Sequence, residues 1–284
     1  MRFGLTDDDN PWFLGPLAAV GGSPDDVILT NGLARYVIRG ASKGAAMYGT
    51  TGGHLIDVGR MAETQFGGKP LAPVDPLREI VLTVGMHLVR ADKIEILDDG
   101  TNGEARVRVS GPLVAFPTLE EALSLPMPQL KVTHEYALKA GETALEIRTT
   151  MVPDGVATES ALVADIMFWG GEIGLYLPGF GDQARPTTSQ SATIGFTPRR
   201  IALSPDKTAF SCAISTEKMM STIDAGAIKA FLHGNADVTA AGLTVTRFLA
   251  CGGPTGRDLA AAMAAAEAAA SPGAEFKTIA GTIS

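Results

Sequence analysis

Asp26–Met61, DVILTNGLARYVIRGASKGAAMYGTTGGHLIDVGRM, is the stretch whose reading decides the fold. Two apolar runs, Val27–Leu29 and Leu33–Ile38, flank Asn31-Gly32, a pair that takes positive φ readily and closes a hairpin. After a connection of small residues, Gly52-Gly53 precedes His54-Leu55-Ile56-Asp57-Val58, which reads as a third strand. Such an opening belongs to an antiparallel β domain, and it names no reaction.

The rest of the chain extends that pattern. Ala105, Val107 and Val109 alternate with Arg106 and Arg108, the period of two expected of a half-buried strand. A long ribbon follows. Val132, His134, Tyr136 and Leu138 share one face, Lys139–Glu142 turns, and Leu145, Ile147, Thr149 and Met151 share the return face. Further strands are expected at Glu79–Val84, Lys93–Leu97, Ser160–Trp169, Ile173–Leu177, Ile194–Thr197, Ile201–Leu203, Ala209–Ser215, Met219–Ile223, Ala227–Leu232 and Leu243–Ala250. Short strands at regular spacing, separated by Gly, Pro and Asp turns, are the pattern of an all-β sandwich, and the absence of βαβ alternation excludes a doubly wound sheet. One short helix is expected after the capping box Thr118–Glu121 and a second near the C-terminus, entered at Thr255–Asp258 and stopped at Ser271-Pro272-Gly273. The division that follows is a large antiparallel β-sandwich over residues 1–274. Residues 275–284 read as a final strand or the start of a further β domain.

Composition narrows the function classes. With 284 residues, 45% hydrophobic and 19% charged, the chain is globular, and its net charge of −8 speaks against nucleic acid or an anionic membrane as partner. No segment has the length and apolarity to span a bilayer, and the first twenty residues lack the order of a secretory signal. Residues 60–78 read as a long ordered loop, and Thr6–Pro11 as an acidic turn ahead of Trp12 and Phe13.

Chemistry is sparse. No GxSxG elbow, HExxH, HxH or HxxxH occurs, so neither a nucleophile nor a metal pair is supplied by one element, and no metal or cofactor is expected. Cys212 and Cys251 lie in separate apolar runs; two buried thiols are expected, and one disulfide stays open. His54, His87, His134 and His233, with Glu172, are the candidates for acid–base work. The sequence places His87 after a strand end and His233 at a turn formed with Gly234-Asn235. Trp169, beside Gly170-Gly171 and Glu172, is the candidate aromatic platform for a ligand, with His54 as a further candidate contact.

The order strand, Asn-Gly turn, strand, small loop and Gly-Gly-His-Leu-Ile-Asp in Asp26–Met61 resembles the entry to a galactose mutarotase-like β-supersandwich. More closely, Gly52–Asp57, Thr133–Thr150, Phe168–Gly171 and Leu177–Gly181 together resemble the N-terminal β domain of CehA/McbA-type metallohydrolase proteins. The resemblance implies a module of a larger, exported protein, periplasmic or extracellular, with the metal chemistry in a separate domain whose His-x-His motifs are absent here. It also implies carbohydrate or a neighbouring domain as partner. Two alternatives stand beside this non-catalytic module. One is an aldose 1-epimerase-like enzyme acting on a sugar through a His and a carboxylate; the other is a purely structural spacer.

Overall fold

The computed structural model describes residues 2–3, 25–41, 51–60, 77–116, 125–155, 159–169, 173–177, 181–182, 200–205, 211–216, 221–225, 227–252 and 256–273. In chain order its strands are β1 (Arg2–Phe3), β2 (Val27–Thr30), β3 (Ala34–Ile38), β4 (Leu55–Arg60), β5 (Leu77–Val84), β6 (His87–Val89), β7 (Lys93–Asp99), β8 (Glu104–Gly111), β9 (Leu113–Ala115) and β10 (Leu130–Lys139). They continue with β11 (Ala144–Pro153), β12 (Glu159–Trp169), β13 (Ile173–Leu177), β14 (Gly181–Asp182), β15 (Arg200–Pro205), β16 (Ser211–Thr216), β17 (Ser221–Ala225), β18 (Ile228–Val238) and β19 (Leu243–Gly252). One helix among the described residues, α1 (Gly256–Ala270), follows. The expected short helix at Thr118, the strand at Ile194–Thr197, the loop interior at 61–76, the acidic turn at Thr6–Pro11, Trp12 and Phe13, and the terminal segment 275–284 lie outside the described residues.

The strands form two antiparallel sheets. The ten-stranded sheet runs β1-β2-β3-β4-β5-β12-β18-β17, with β6 attached to β5 and β9 to β6. The nine-stranded sheet runs β14-β13-β15-β16-β19-β11-β10-β8-β7. Alternation dictates which residues meet between them. The inner row Val132, Tyr136 and Leu138 of β10 and the row Leu145, Ile147 and Met151 of β11 join Leu29, Tyr36, Ile80, Leu82, Val163, Met167 and Phe231 in one core. The faces expected for this ribbon are those observed.

The opening hairpin is built as its sequence dictates, with one shift. Leu33 belongs to the turn rather than to β3 and is exposed. Asn31 Oδ1 accepts from the backbone N–H of Leu33 and Ala34 at 3.0 and 3.1 Å, while Gly32 takes φ +85°. The Asn31 amide also donates to the carbonyls of Lys139 and Glu142 at 2.7 and 2.6 Å, so this turn grips the turn between β10 and β11. Gly52-Gly53 is required by close approach. A Cβ on Gly52 would stand 2.1 Å from the Gly40 carbonyl oxygen, and one on Gly53 2.6 Å from Val109 Cγ1.

Two tyrosines stitch the sheets in opposite directions. Tyr36 of β3 donates its hydroxyl to the carbonyls of Thr143 and Leu249, and Tyr136 of β10 donates to the carbonyl of Gly53 at 2.8 Å. The outer faces differ. On the ten-stranded sheet, Val81, Ile166, Phe168 and Ala230 are buried with Leu88 and Phe116, the two phenyl rings edge-on at 6.5 Å. On the nine-stranded sheet, α1 lays Ala262, Met263 and Ala266 against Ala144 and Ala250, small residues that let helix and sheet approach closely. Beyond α1 this face is charged, and its last strand, β7, carries a register shift between Ile96 and Asp98.

Candidate functional site

Acid–base groups converge inside the sandwich, between the sheets. Asp165 lies in β12 on the row that also carries Val163 and Met167, so alternation turns it toward the core. His233 reaches the same place by a β-bulge. Leu232 opposes Ala164 and Gly234 opposes Val163, which leaves His233 as the extra residue of β18. Gly234-Asn235 therefore marks a bulge within a strand and not the turn its composition implied, because both need the same backbone permissiveness.

From the other sheet, Arg247 of β19 meets Asp165 with two parallel hydrogen bonds, Nη2 to Oδ1 at 2.8 Å and Nε to Oδ2 at 3.0 Å. His233 Nε2 stands 2.8 Å from Asp165 Oδ2. Arg247 Nη1 donates to Thr149 Oγ1 at 2.7 Å, and Thr149 faces its cross-strand partner His134, Oγ1 to Nδ1 at 2.9 Å. His54 sits at the mouth of β4, its Nε2 3.1 Å from Thr51 Oγ1, which donates onward to the Val89 carbonyl.

Burial decides the charge states. It lowers His54 to about 4. Burial, then the positive charge of Arg247 and the neighbouring His54, lowers His134 to about 3. Both rings are therefore neutral at pH 7. Burial alone would raise the Asp165 carboxyl, but Arg247 and His233 outweigh it and hold the group well below the usual carboxylate range. Tyr136 is pushed well above the ordinary phenol, chiefly by burial.

The structure thus links His134 and His233 through Thr149, Arg247 and Asp165, with His54 close enough to feel His134 electrostatically. His87 stands apart. It lies on β6 rather than after a strand end, and its Nδ1 is 2.7 Å from the Gly85 carbonyl in a tight turn where Gly85 and Met86 both have positive φ. Trp169 ends β12 buried in the main core. Glu172 lies outside the described residues. Among the described residues no group of three or more His, Cys, Asp or Glu side chains is placed to hold a metal ion.

Sequence reasoning missed Asp165, Arg247 and Thr149. A signal was present: Asp165 in SALVADIMFW and Arg247 in LTVTRFLAC are lone charges in apolar runs, in phase with the buried row. A charge in that position requires a partner of opposite sign.

No protein-family model matches the sequence. No curated protein matches it. Among solved structures it is similar to the Slr1438 protein from Synechocystis sp. PCC 6803, at 10% identity and TM-score 0.46, covering 80% of this chain and 95% of that one. It is also similar to a galactose mutarotase related enzyme from Lactobacillus acidophilus, at 10% identity and TM-score 0.42, covering 81% of this chain and 98% of that one. A TPR-domain containing protein from Parabacteroides distasonis matches at 9% identity and TM-score 0.49, over 98% of this chain and 56% of that one. The chain is an all-β sandwich by its own strand pairing, and galactose mutarotase-like proteins are among the structures it resembles.

Proposed function

We propose that this chain is a non-catalytic β-supersandwich module of a larger exported protein, serving to bind carbohydrate or dock a neighbouring domain. The observation that carries the reading is the burial of Asp165, His233, Arg247 and His134 in one network, which Arg247 and Asp165 carry from sheet to sheet, out of a sugar's reach. The larger exported parent is taken from the sequence resemblance to the N-terminal β domain of CehA/McbA-type metallohydrolase proteins.

Glycan arrays and titration calorimetry on the isolated chain test the carbohydrate half, and negative results there would leave docking. The aldose 1-epimerase-like reading has one observation in its favour, the imidazole of His233 held 2.8 Å from a carboxylate. NMR of anomer interconversion in glucose and galactose tests it. No acceleration over buffer is expected, and an acceleration that a folded His233→Ala variant loses would overturn the non-catalytic reading. The spacer reading draws support from the outer face of the ten-stranded sheet, where Val81, Thr83, Ile166 and Phe168 are already covered.

A further inference from the structure

The chain has two cysteines, and strand pairing sets them opposite one another: Cys212 of β16 is the register partner of Cys251 of β19. Directly opposed residues on antiparallel strands stand on the same face with Cα atoms about 4.5 to 5.5 Å apart, which falls within the roughly 4.4 to 6.8 Å that a disulfide spans. Cys251 is buried on the row that faces the main core. The register of β11 against β19 ends at Ala144 with Ala250, one residue before Cys251.

The geometry points to a cross-strand disulfide between Cys212 and Cys251 that forms when the chain meets a small-molecule disulfide oxidant. A thiolate of one cysteine attacks the oxidant's S–S bond, giving a protein mixed disulfide and releasing one small thiol. The second cysteine's thiolate then attacks the protein sulfur of that mixed disulfide and releases the other small thiol. Two protein thiols lose two electrons in total, the oxidant gains them, and the two protons end on the released thiols.

The position of the bond matters as much as its chemistry. Between the two cysteines the chain leaves the nine-stranded sheet, contributes β17 and β18 to the other sheet, and returns as β19. Closing that excursion ties the strands that carry His233 and Arg247 into one covalent ring, and a ring of about forty residues strongly restricts the unfolded chain. Because no other cysteine exists, the intrachain pairing has no competitor within the molecule.

The test is to refold the full chain with oxidised and reduced glutathione and measure its intact mass, its thiol content in denaturant and its melting temperature. The expected product is a monomer lighter by two hydrogens, with no titratable thiol, whose melting temperature falls by about 10 °C on reduction. The Cys212→Ser and Cys251→Ala variants should each retain one titratable thiol, and the double variant should melt at the same temperature with or without reductant. Retention of both thiols under strongly oxidising refolding, a glutathione adduct on each cysteine, or a disulfide-linked dimer as the main product would each overturn the proposal. If Cys251→Ala fails to fold, the thiol count and mass of the unaltered chain still decide it.

Discussion

The molecule uses the same chemistry, arginine against carboxylate, in two settings. On the outer face of the nine-stranded sheet, Arg108 and Arg106 flank Glu135, with Nε of Arg108 2.8 Å from Oε1 and Arg106 Nη1 3.3 Å from Oε2. The Glu135 and Arg108 side chains there remain 16% and 40% exposed, while those of Asp165 and Arg247, between the sheets, are 2% and 1% exposed. Water competes for the outer pair and screens it. The inner pair has lost its water, so its hydration is replaced by protein groups, chiefly each partner for the other, with His233 beside Asp165 and Thr149 beside Arg247. Outside, a charge is an interchangeable decoration; inside, it is half of an obligate unit.

Removing half of the inner unit should have the largest effect. Arg247→Met leaves Asp165 in the core with the His233 imidazole but no guanidinium beside it, and equilibrium denaturation should show a loss of about 3 to 5 kcal/mol. Combining it with Asp165→Leu should recover most of that loss, since an apolar pair of similar volume needs no hydration. A double variant as unstable as the single one would break the comparison.

Acid comes next. Unfolded imidazoles bind protons near pH 6.5, whereas His54 and His134 in the fold do so only at about 4 and about 3. The unfolded state therefore holds more protons as pH drops below 6.5, and stability falls with it, by about 1.4 kcal/mol per pH unit for each ring. Asp165 acts in the same direction at lower pH. Its folded pKa is depressed, so its contribution, complete above the ordinary value of 3.8, is lost as pH falls below that value toward the folded pKa. Denaturant midpoints from pH 7 to 4 measure the slope, and His54→Phe should flatten it.

Tyr136→Phe should cost about 1 to 2 kcal/mol by leaving the Gly53 carbonyl without its donor, seen as a shift in the denaturant midpoint. Smallest is Glu135→Ala on the outer face, expected to change stability by less than about 1 kcal/mol, and less still in high salt. A Glu135 effect rivalling that of Arg247 would erase the distinction drawn between the two faces.

How much of this was legible follows from the range of each signal. The faces of β10 and β11 are written in alternation, and Asn31-Gly32 writes its own turn, because both depend on neighbours in the chain. The site is different. His134, Thr149, Asp165, His233 and Arg247 come from five strands in two sheets, and no local pattern states which strands will stack. His233 was further disguised by Gly234-Asn235, whose composition does not separate a bulge from a turn. What the sequence does carry is the anomaly of Asp165 and Arg247 in apolar runs, an announcement that partners exist without their identity.

The irregular last strand of the nine-stranded sheet has a consequence for life in a crowded solution. Among the described residues β7 is the last strand of its sheet, and it exposes Ile96 and Leu97, the kind of border on which another chain crystallises into a growing fibril. Its register shift breaks the straight row such recruitment needs, and Lys93, Glu95, Asp98 and Asp99 make any incoming strand pay in buried charge. The sheet has a border, and the border is policed.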